Sequence, residues 1–76
     1  MSADAPRYLT DRQEQIAKVI VEWTDLYGYP PSVREIGAAV GLRSPATVAH
    51  HLQIMESMGV LTRVPGRHRS YQVHRP

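Results

Sequence analysis

The residues with the richest chemistry in this 76-residue chain are histidines, arginines and hydroxyls in its second half. His50 and His51 are adjacent, so on a helix their side chains would point about 100° apart and could not easily share a metal ion. A zinc site would also need cysteines or nearby acids, and the chain has no cysteine and only Glu56 close in sequence. No serine has an evident base partner. We therefore predict no metal, no cofactor, no small-molecule substrate and no enzymatic activity.

Positive charge is concentrated at one end of the chain. Residues 60–76 hold four arginines and no acidic residue, whereas all seven acidic residues lie within residues 1–59. This asymmetry is typical of a surface that faces a polyanion, although a solvated basic tail would fit the charge count equally well.

Helix-capping signals predict where three helices begin and end. A cap residue precedes each of them: Thr10, Ser32 and Ser44. The first two caps form capping boxes with the residue three positions on, and the third is followed by proline, which is favoured at the first helical position. A glycine that can stop the helix follows each one: Gly28, Gly41 and Gly59. The predicted helices cover residues 11–27, 33–40 and 45–58.

The first helix carries apolar side chains at helical spacing on one broad stripe. They are Ile16, Val19, Ile20, Trp23, Leu26 and Tyr27. We expect the whole stripe to lie in the core, including the Trp23–Tyr27 pair, and Val21 to be exposed.

The third helix has a core side and a polar side. Val48, Leu52 and Met55 recur at a spacing that places them together against the core. The opposite side carries Ala46, His50, Gln53 and Ser57, with Thr47 at its edge. His51 would flank the core.

The segment between the second and third helices is about four residues long and begins with Gly41, which is typical of a helix-turn-helix. Gly37 lies inside the second helix, where glycine costs about 1 kcal/mol relative to alanine. A neutral glycine on an exposed face is one explanation. We favour the other, a close approach of the neighbouring helix that a side chain would block.

The pattern changes from helix to strand after Gly59. Two short runs, 60–64 and 70–73, flank the turn signal Pro65–Gly66 and predict a hairpin. Three helices followed by a two-stranded wing give a mostly α fold, the winged helix-turn-helix. The predicted parts are a disordered arm over 1–8, the winged domain over 9–74 and a tail over 75–76.

This fold and charge distribution predict an interface for double-stranded DNA. The recognition helix would reach base edges through Ser44, Ala46, Thr47, Ala49, His50 and Gln53. At the starts of the second and third helices, Ser32, Arg34 and Arg43 would contact the DNA backbone. The wing would contact phosphates or a narrow minor groove through Arg63, Arg67, His68 and Arg69. Because the third helix offers no Arg or Asn to the bases, we expect Arg43, at the start of that helix, to contact a phosphate or a guanine.

Four segments closely resemble the N-terminal DNA-binding domain of LexA repressors. They are L-T-D-R-Q-E-Q-I at 9–16, G-Y-P-P-S-V-R-E-I-G at 28–37, V-G-L-R-S-P-A-T-V-A-H-H-L at 40–52 and M-G-V-L-T-R at 58–63. The resemblance covers about residues 9–73. It implies a bacterial transcriptional repressor domain whose third helix enters the major groove of a palindromic operator, where two copies could bind as a homodimer.

The resemblance also implies a particular target. Where the enterobacterial branch of the family has an asparagine and two acids at base-reading positions, this sequence has Ala46, Ala49 and His50. It is more similar to the Gram-positive-type branch, so a different operator is expected. LexA repressors carry a C-terminal domain that dimerises and cleaves itself with a Ser–Lys pair. The sequence ends at Pro76, so we expect no self-cleavage and no dimer contact from that domain, whether the chain is a free-standing relative or a fragment.

A protein-interaction module is the alternative from a different class, because a winged helix can also bind another protein. Such a module would modulate another regulator or a DNA-bound complex and would show no DNA affinity at modest salt. The first residues carry an acid and a proline rather than an apolar run, and no stretch approaches the ~20 apolar residues of a membrane span. We therefore expect a cytoplasmic, nucleoid-associated protein with no membrane partner.

Overall fold

The computed structural model describes residues 9–67 and 70–74. Its elements are α1 (Asp11–Tyr27), α2 (Val33–Val40), α3 (Pro45–Ser57), β1 (Leu61–Thr62) and β2 (Gln72–Val73). The two strands pair antiparallel, with Leu61 opposite Val73 and Thr62 opposite Gln72. This order confirms the predicted winged helix-turn-helix. The disordered arm expected over 1–8 and the tail over 75–76 lie outside the described residues. Within the described ranges, no helix is long and apolar enough to cross a membrane.

The helices begin where their caps predict. The hydroxyl of Thr10 accepts a bond from the backbone N–H of Gln13, and the Gln13 side chain accepts one from the Thr10 N–H, each at 3.1 Å. Ser32 and Glu35 make the same reciprocal pair at the start of α2. Each box satisfies two N–H groups that a helix start leaves without partners. The starts of α1 and α2 are therefore fixed by local sequence.

The core forms where all three helices meet the wing. It consists of side chains at most 1% exposed: Ile16, Ile20, Ile36, Val48, Leu52, Met55 and Leu61. The predicted core side of α3 is thus confirmed. Leu61 extends this core into β1, so the wing is packed against the helices and does not project freely.

The far end of α1 departs from the predicted apolar stripe. Leu26 is 74% exposed and Tyr27 51% exposed, and Trp23 is only partly buried. The expectation that the whole stripe lies in the core was wrong for Leu26 and Tyr27, which are exposed. It was also wrong for Val19 and Trp23, which are half-buried but do not pack against the core. Leu26 and Tyr27 lie in the last turn of α1, beyond Ile20, the last buried residue of the helix, where α1 and Ala39 of α2 border an open groove. The rings of Trp23 and Tyr27 still contact each other, with centroids 4.7 Å apart.

Val21 is half-buried, whereas the helical pattern predicted that it would be exposed. It lines a shallow groove together with Thr24 of α1 and Gln72 and Val73 of β2. The second wing strand therefore covers a side of α1 that the helical pattern alone assigned to solvent.

The wing strands are shorter than the runs 60–64 and 70–73 suggested. Beyond Thr62 the strand pairing stops, and the Ser70 hydroxyl lies 3.2 Å from the Val64 nitrogen and 3.1 Å from its carbonyl oxygen. A side chain therefore bonds the Val64 backbone groups where a ladder would use a backbone partner. The third helix also ends one residue early, at Ser57, with Met58 as its cap.

Candidate nucleic-acid interface

The helix-turn-helix is held at a fixed geometry by Gly37 and the turn that follows α2. Gly41 takes the left-handed conformation, with φ 77°, and the Leu42 N–H folds back to donate to the Gly37 carbonyl at 2.9 Å. A Cβ atom on Gly37 would lie 2.9 Å from the Leu42 carbonyl oxygen and 3.2 Å from Cγ2 of Val48 in α3. The predicted close approach is confirmed, and it sets how α3 crosses α2.

The side of α3 that faces away from the core carries most of the base-reading candidates. Those that are exposed are Ser44, Ala46, Thr47, His50 and Gln53. Ala49 is half-buried at the margin of this face. The small side chains at the first two turns leave room for a duplex to approach the helix closely, and Thr47 and His50 carry groups there that can form hydrogen bonds.

The N-terminus of α3 is suited to a phosphate. Ser44 caps it by accepting a bond from the Thr47 N–H at 3.4 Å, which leaves the hydroxyl proton of Ser44 able to donate. The positive end of the helix dipole points the same way, together with the backbone N–H of Ala46. Pro45 has no N–H, and the N–H groups of Thr47 and Val48 already donate to Ser44. Ser32 is less available, because it is half-buried and its oxygen accepts from the Glu35 N–H at 3.2 Å.

A cleft of about 450 Å³ opens between α2 and α3 beside this N-terminus. Arg34 and Arg43 both line it, so the structure brings together two of the residues that were predicted to contact the DNA backbone. Its remaining lining is apolar or backbone: Gly37, Ala38, Leu42, Pro45 and Val48. Two exposed guanidinium groups beside a helix N-terminus create a positive edge that can contact phosphates.

The predicted wing residues fall into three groups. Arg67 is exposed on the loop. Arg63 lies 3.5 Å from a carboxylate oxygen of Glu56 in α3, so its charge is partly balanced by a carboxylate and it also links the wing to the recognition helix. His68 and Arg69 lie outside the described residues. A metal-binding cluster of three or more His, Cys, Asp or Glu side chains is not found within residues 9–67 and 70–74.

Two contacts from the first turn of α1 were not foreseen from the sequence. The Arg12 guanidinium donates to the carbonyl oxygen of Val40, the last residue of α2. Gln13, which is 96% buried, has its amide nitrogen 3.3 Å from Nδ1 of His51 in α3. The start of α1 therefore bonds to both helices of the helix-turn-helix. The only sequence signal is the capping box, which marks Gln13 but says nothing of its second partner.

Comparison with known protein families shows which family has this arrangement of helices and wing. The family model described as the LexA DNA binding domain matches residues 6–70. The chain belongs to the LexA DNA-binding domain family. The match spans α1, the helix-turn-helix and β1, and it stops before β2. The resemblance noted in the sequence is confirmed.

Curated relatives in the LexA family are similar over most of this chain. It is 52% identical over 65 residues to the LexA repressor of Streptomyces coelicolor, which is 86% of this chain and 28% of that protein. It is 45% identical over 75 residues to the LexA repressor of Thermobifida fusca, 99% of this chain and 29% of that protein. The Frankia alni LexA repressor is 50% identical over 68 residues. The chain thus spans less than a third of the length of these relatives.

Proposed function

We propose that this protein binds double-stranded DNA at a specific sequence and represses transcription, with α3 in the major groove. The observation that carries the proposal is the two-sided character of α3. Val48, Leu52 and Met55 on one side are buried in the core, and Ala46, Thr47 and His50 on the opposite side are exposed. The helix packs closely against α2 at Gly37. A helix exposed in this way at its N-terminal turns fits a major groove.

Affinity and sequence preference come from different residues in this proposal. Arg34, Arg43 and Arg67 are exposed cations that neutralise phosphates, which gives binding to any duplex and a strong dependence on salt. Thr47 and His50 reach base edges, while Ala46 and Ala49 contact thymine methyl groups. Arg69, His68 and the partly paired Arg63 complete the wing. Ser32, Ser44 and Gln53 add polar contacts at the margins of α3.

The proposed target is a palindrome that binds two copies. Each copy would occupy one half-site, with the two recognition helices about 34 Å apart or a multiple of that spacing. A single half-site offers few phosphate contacts, so one copy alone binds weakly, and the second half-site raises the apparent affinity. As a repressor of this kind the protein would act in the cytoplasm, on the nucleoid, without cofactor or catalysis.

Selection of bound duplexes from a random pool tests the proposal. The selection is run at two salt concentrations, and the number of protein copies on the winning duplex is measured. We expect a recurrent inverted repeat that binds two copies and weakens as salt rises. Recovery of no preferred sequence would remove specific recognition, and no binding even at low salt would favour a protein-interaction module.

A further inference from the structure

The orientation of the buried Gln13 amide is fixed by its own capping box. Its oxygen Oε1 accepts a hydrogen bond from the backbone N–H of Thr10 at 3.1 Å. A backbone N–H can only donate, so the atom facing it must be the amide oxygen. The other amide atom, Nε2, is then a donor, and it lies 3.3 Å from Nδ1 of His51.

The Gln13 donor dictates where the proton of His51 resides. Because Nε2 of Gln13 donates, Nδ1 of His51 must accept and carries no proton. A neutral imidazole then has its proton on the other nitrogen, Nε2. Gln13 thus selects one of the two tautomers of a histidine that lies 38 residues away in sequence.

The protonated nitrogen of His51 is available to an external acceptor. Among the described residues, Nε2 of His51 has no hydrogen-bond partner, and Nε1 of Trp23 is the one unpartnered side-chain polar atom that is buried. Nε2 of His51 therefore retains solvent-accessible area. His51 is half-buried and follows the exposed Thr47 by one helical turn, on the same side of α3. Half or more of the hydrogen bonds between proteins and DNA go to phosphate and sugar oxygens, and a donor on the flank of a recognition helix is placed to make such a contact.

We propose that His51 is a further DNA-contacting residue: its Nε2–H donates to a phosphate oxygen beside α3, and Gln13 is the positioning residue that keeps the proton on that nitrogen. This inference rests on the proposed function. It adds a contact that reads no sequence. Because a ring whose Nδ1 accepts from Gln13 carries a single proton and no charge, this contact releases no counterion. His51 therefore differs from the arginines in how its contact responds to salt.

Two substitutions test the roles of the two His51 ring nitrogens separately. His51→Asn ends at the position of Nδ1, so it keeps an acceptor for Gln13 and loses the outer donor. His51→Gln reaches the position of Nε2, so it keeps a donor for the phosphate and loses the acceptor for Gln13. Both remain polar and of similar size, and thermal unfolding of each variant without DNA identifies the temperature range in which binding is measured on folded protein.

The selected operator and an unrelated duplex of equal length serve as probes. We expect His51→Asn to bind both duplexes about tenfold more weakly than the unmodified protein, as for one lost hydrogen bond to a charged group. His51→Gln should stay within about threefold, and the salt dependence of both variants should be unchanged. Equal binding of His51→Asn and the unmodified protein overturns the inference, as does an equal loss in both variants.

A second measurement needs no variant. Nitrogen-15 NMR of the imidazole ring in the unmodified protein distinguishes the two tautomers. We expect His51 to carry its proton on Nε2 without DNA, and this N–H to shift and exchange more slowly when the operator is added. A proton on Nδ1, or no change on adding operator, overturns the inference. Failure of the unmodified protein to bind any duplex would instead overturn the proposed function itself.

Discussion

Gly37 lies so close to Leu42 that a Cβ atom on it would be 2.9 Å from the Leu42 carbonyl oxygen. We expect Gly37→Ala to lower the free energy of unfolding by a net ~1 kcal/mol, because overpacking costs ~1–3 kcal/mol and the better helix propensity of alanine returns ~1 kcal/mol. Urea unfolding measures this difference. The same variant should also bind DNA more weakly, because α3 must move away from α2.

Ala39→Gly is the matched control for this prediction. Ala39 is exposed in the same helix, so its replacement should cost ~1 kcal/mol through propensity alone and leave DNA binding unchanged. If Gly37→Ala proved more stable than the unmodified protein, the close approach at Gly37 would not require a glycine.

Leu52 and Leu26 allow the same substitution to be compared in two environments. Leu52 is 0% exposed and Leu26 is 74% exposed. Leu52→Ala should cost ~2–5 kcal/mol, enough to unfold much of a domain this small, because it leaves a cavity among α1, α2 and α3. Leu26→Ala should change stability by less than ~0.5 kcal/mol. Thermal unfolding followed by circular dichroism checks both, and a large loss for Leu26→Ala would mean that this end of α1 is covered.

The helix boundaries were predictable because their causes are local. The starts of α1 and α2 depend on a hydroxyl and on a Gln or Glu three residues later, and both stops depend on a glycine with positive φ. The exposed face of α3 was predictable for a similar reason, since helical projection fixes which side chains oppose Val48 and Leu52. Ala49, at the margin of that face, is half-buried, whereas the other base-reading candidates are exposed.

What the sequence could not predict depends on distant neighbours. Periodicity shows that Leu26 and Tyr27 share a side with Ile16, but it does not show that the last turn of α1 extends beyond the core. The wing strands are shorter than predicted, and the Ser70 side chain bonds the backbone of Val64 beyond their end, a contact that strand propensity does not predict. The Gln13–His51 contact joins residues 38 apart, and neither has a pattern that points to the other.

Arg67 should contribute to affinity for every sequence. Because it is exposed on the wing loop, Arg67→Ala should weaken binding to operator and unrelated duplexes alike and reduce the slope of log affinity against log salt by about 0.9. Fluorescence anisotropy titrations over a range of salt measure the slope. Lys18→Ala removes one positive charge from an exposed position on α1 and should leave the slope of log affinity against log salt unchanged. The wing would have no role in binding if Arg67→Ala and Arg69→Ala both behaved like that control.

His50 and Thr47 should determine which sequence is chosen. Both are exposed at the N-terminal half of α3, so His50→Ala or Thr47→Ala should alter the motif selected from a random pool while stability stays within ~0.5 kcal/mol. Ser57→Ala lies on the same polar side but at the last helical residue, and it should leave the motif as it is. An identical motif from the His50 and Thr47 variants would remove these residues from base recognition.

The separation of the two sides of α3 has a consequence for how such a protein can diverge. The residues that hold the fold together, Val48, Leu52 and Met55, are distinct from those that face the proposed target. Mutations at 46, 47, 50 and 53 can therefore accumulate without unfolding the chain. Related proteins can thus recognise different operator sequences while keeping the same fold, and an operator can change in step with the side chains that recognise it.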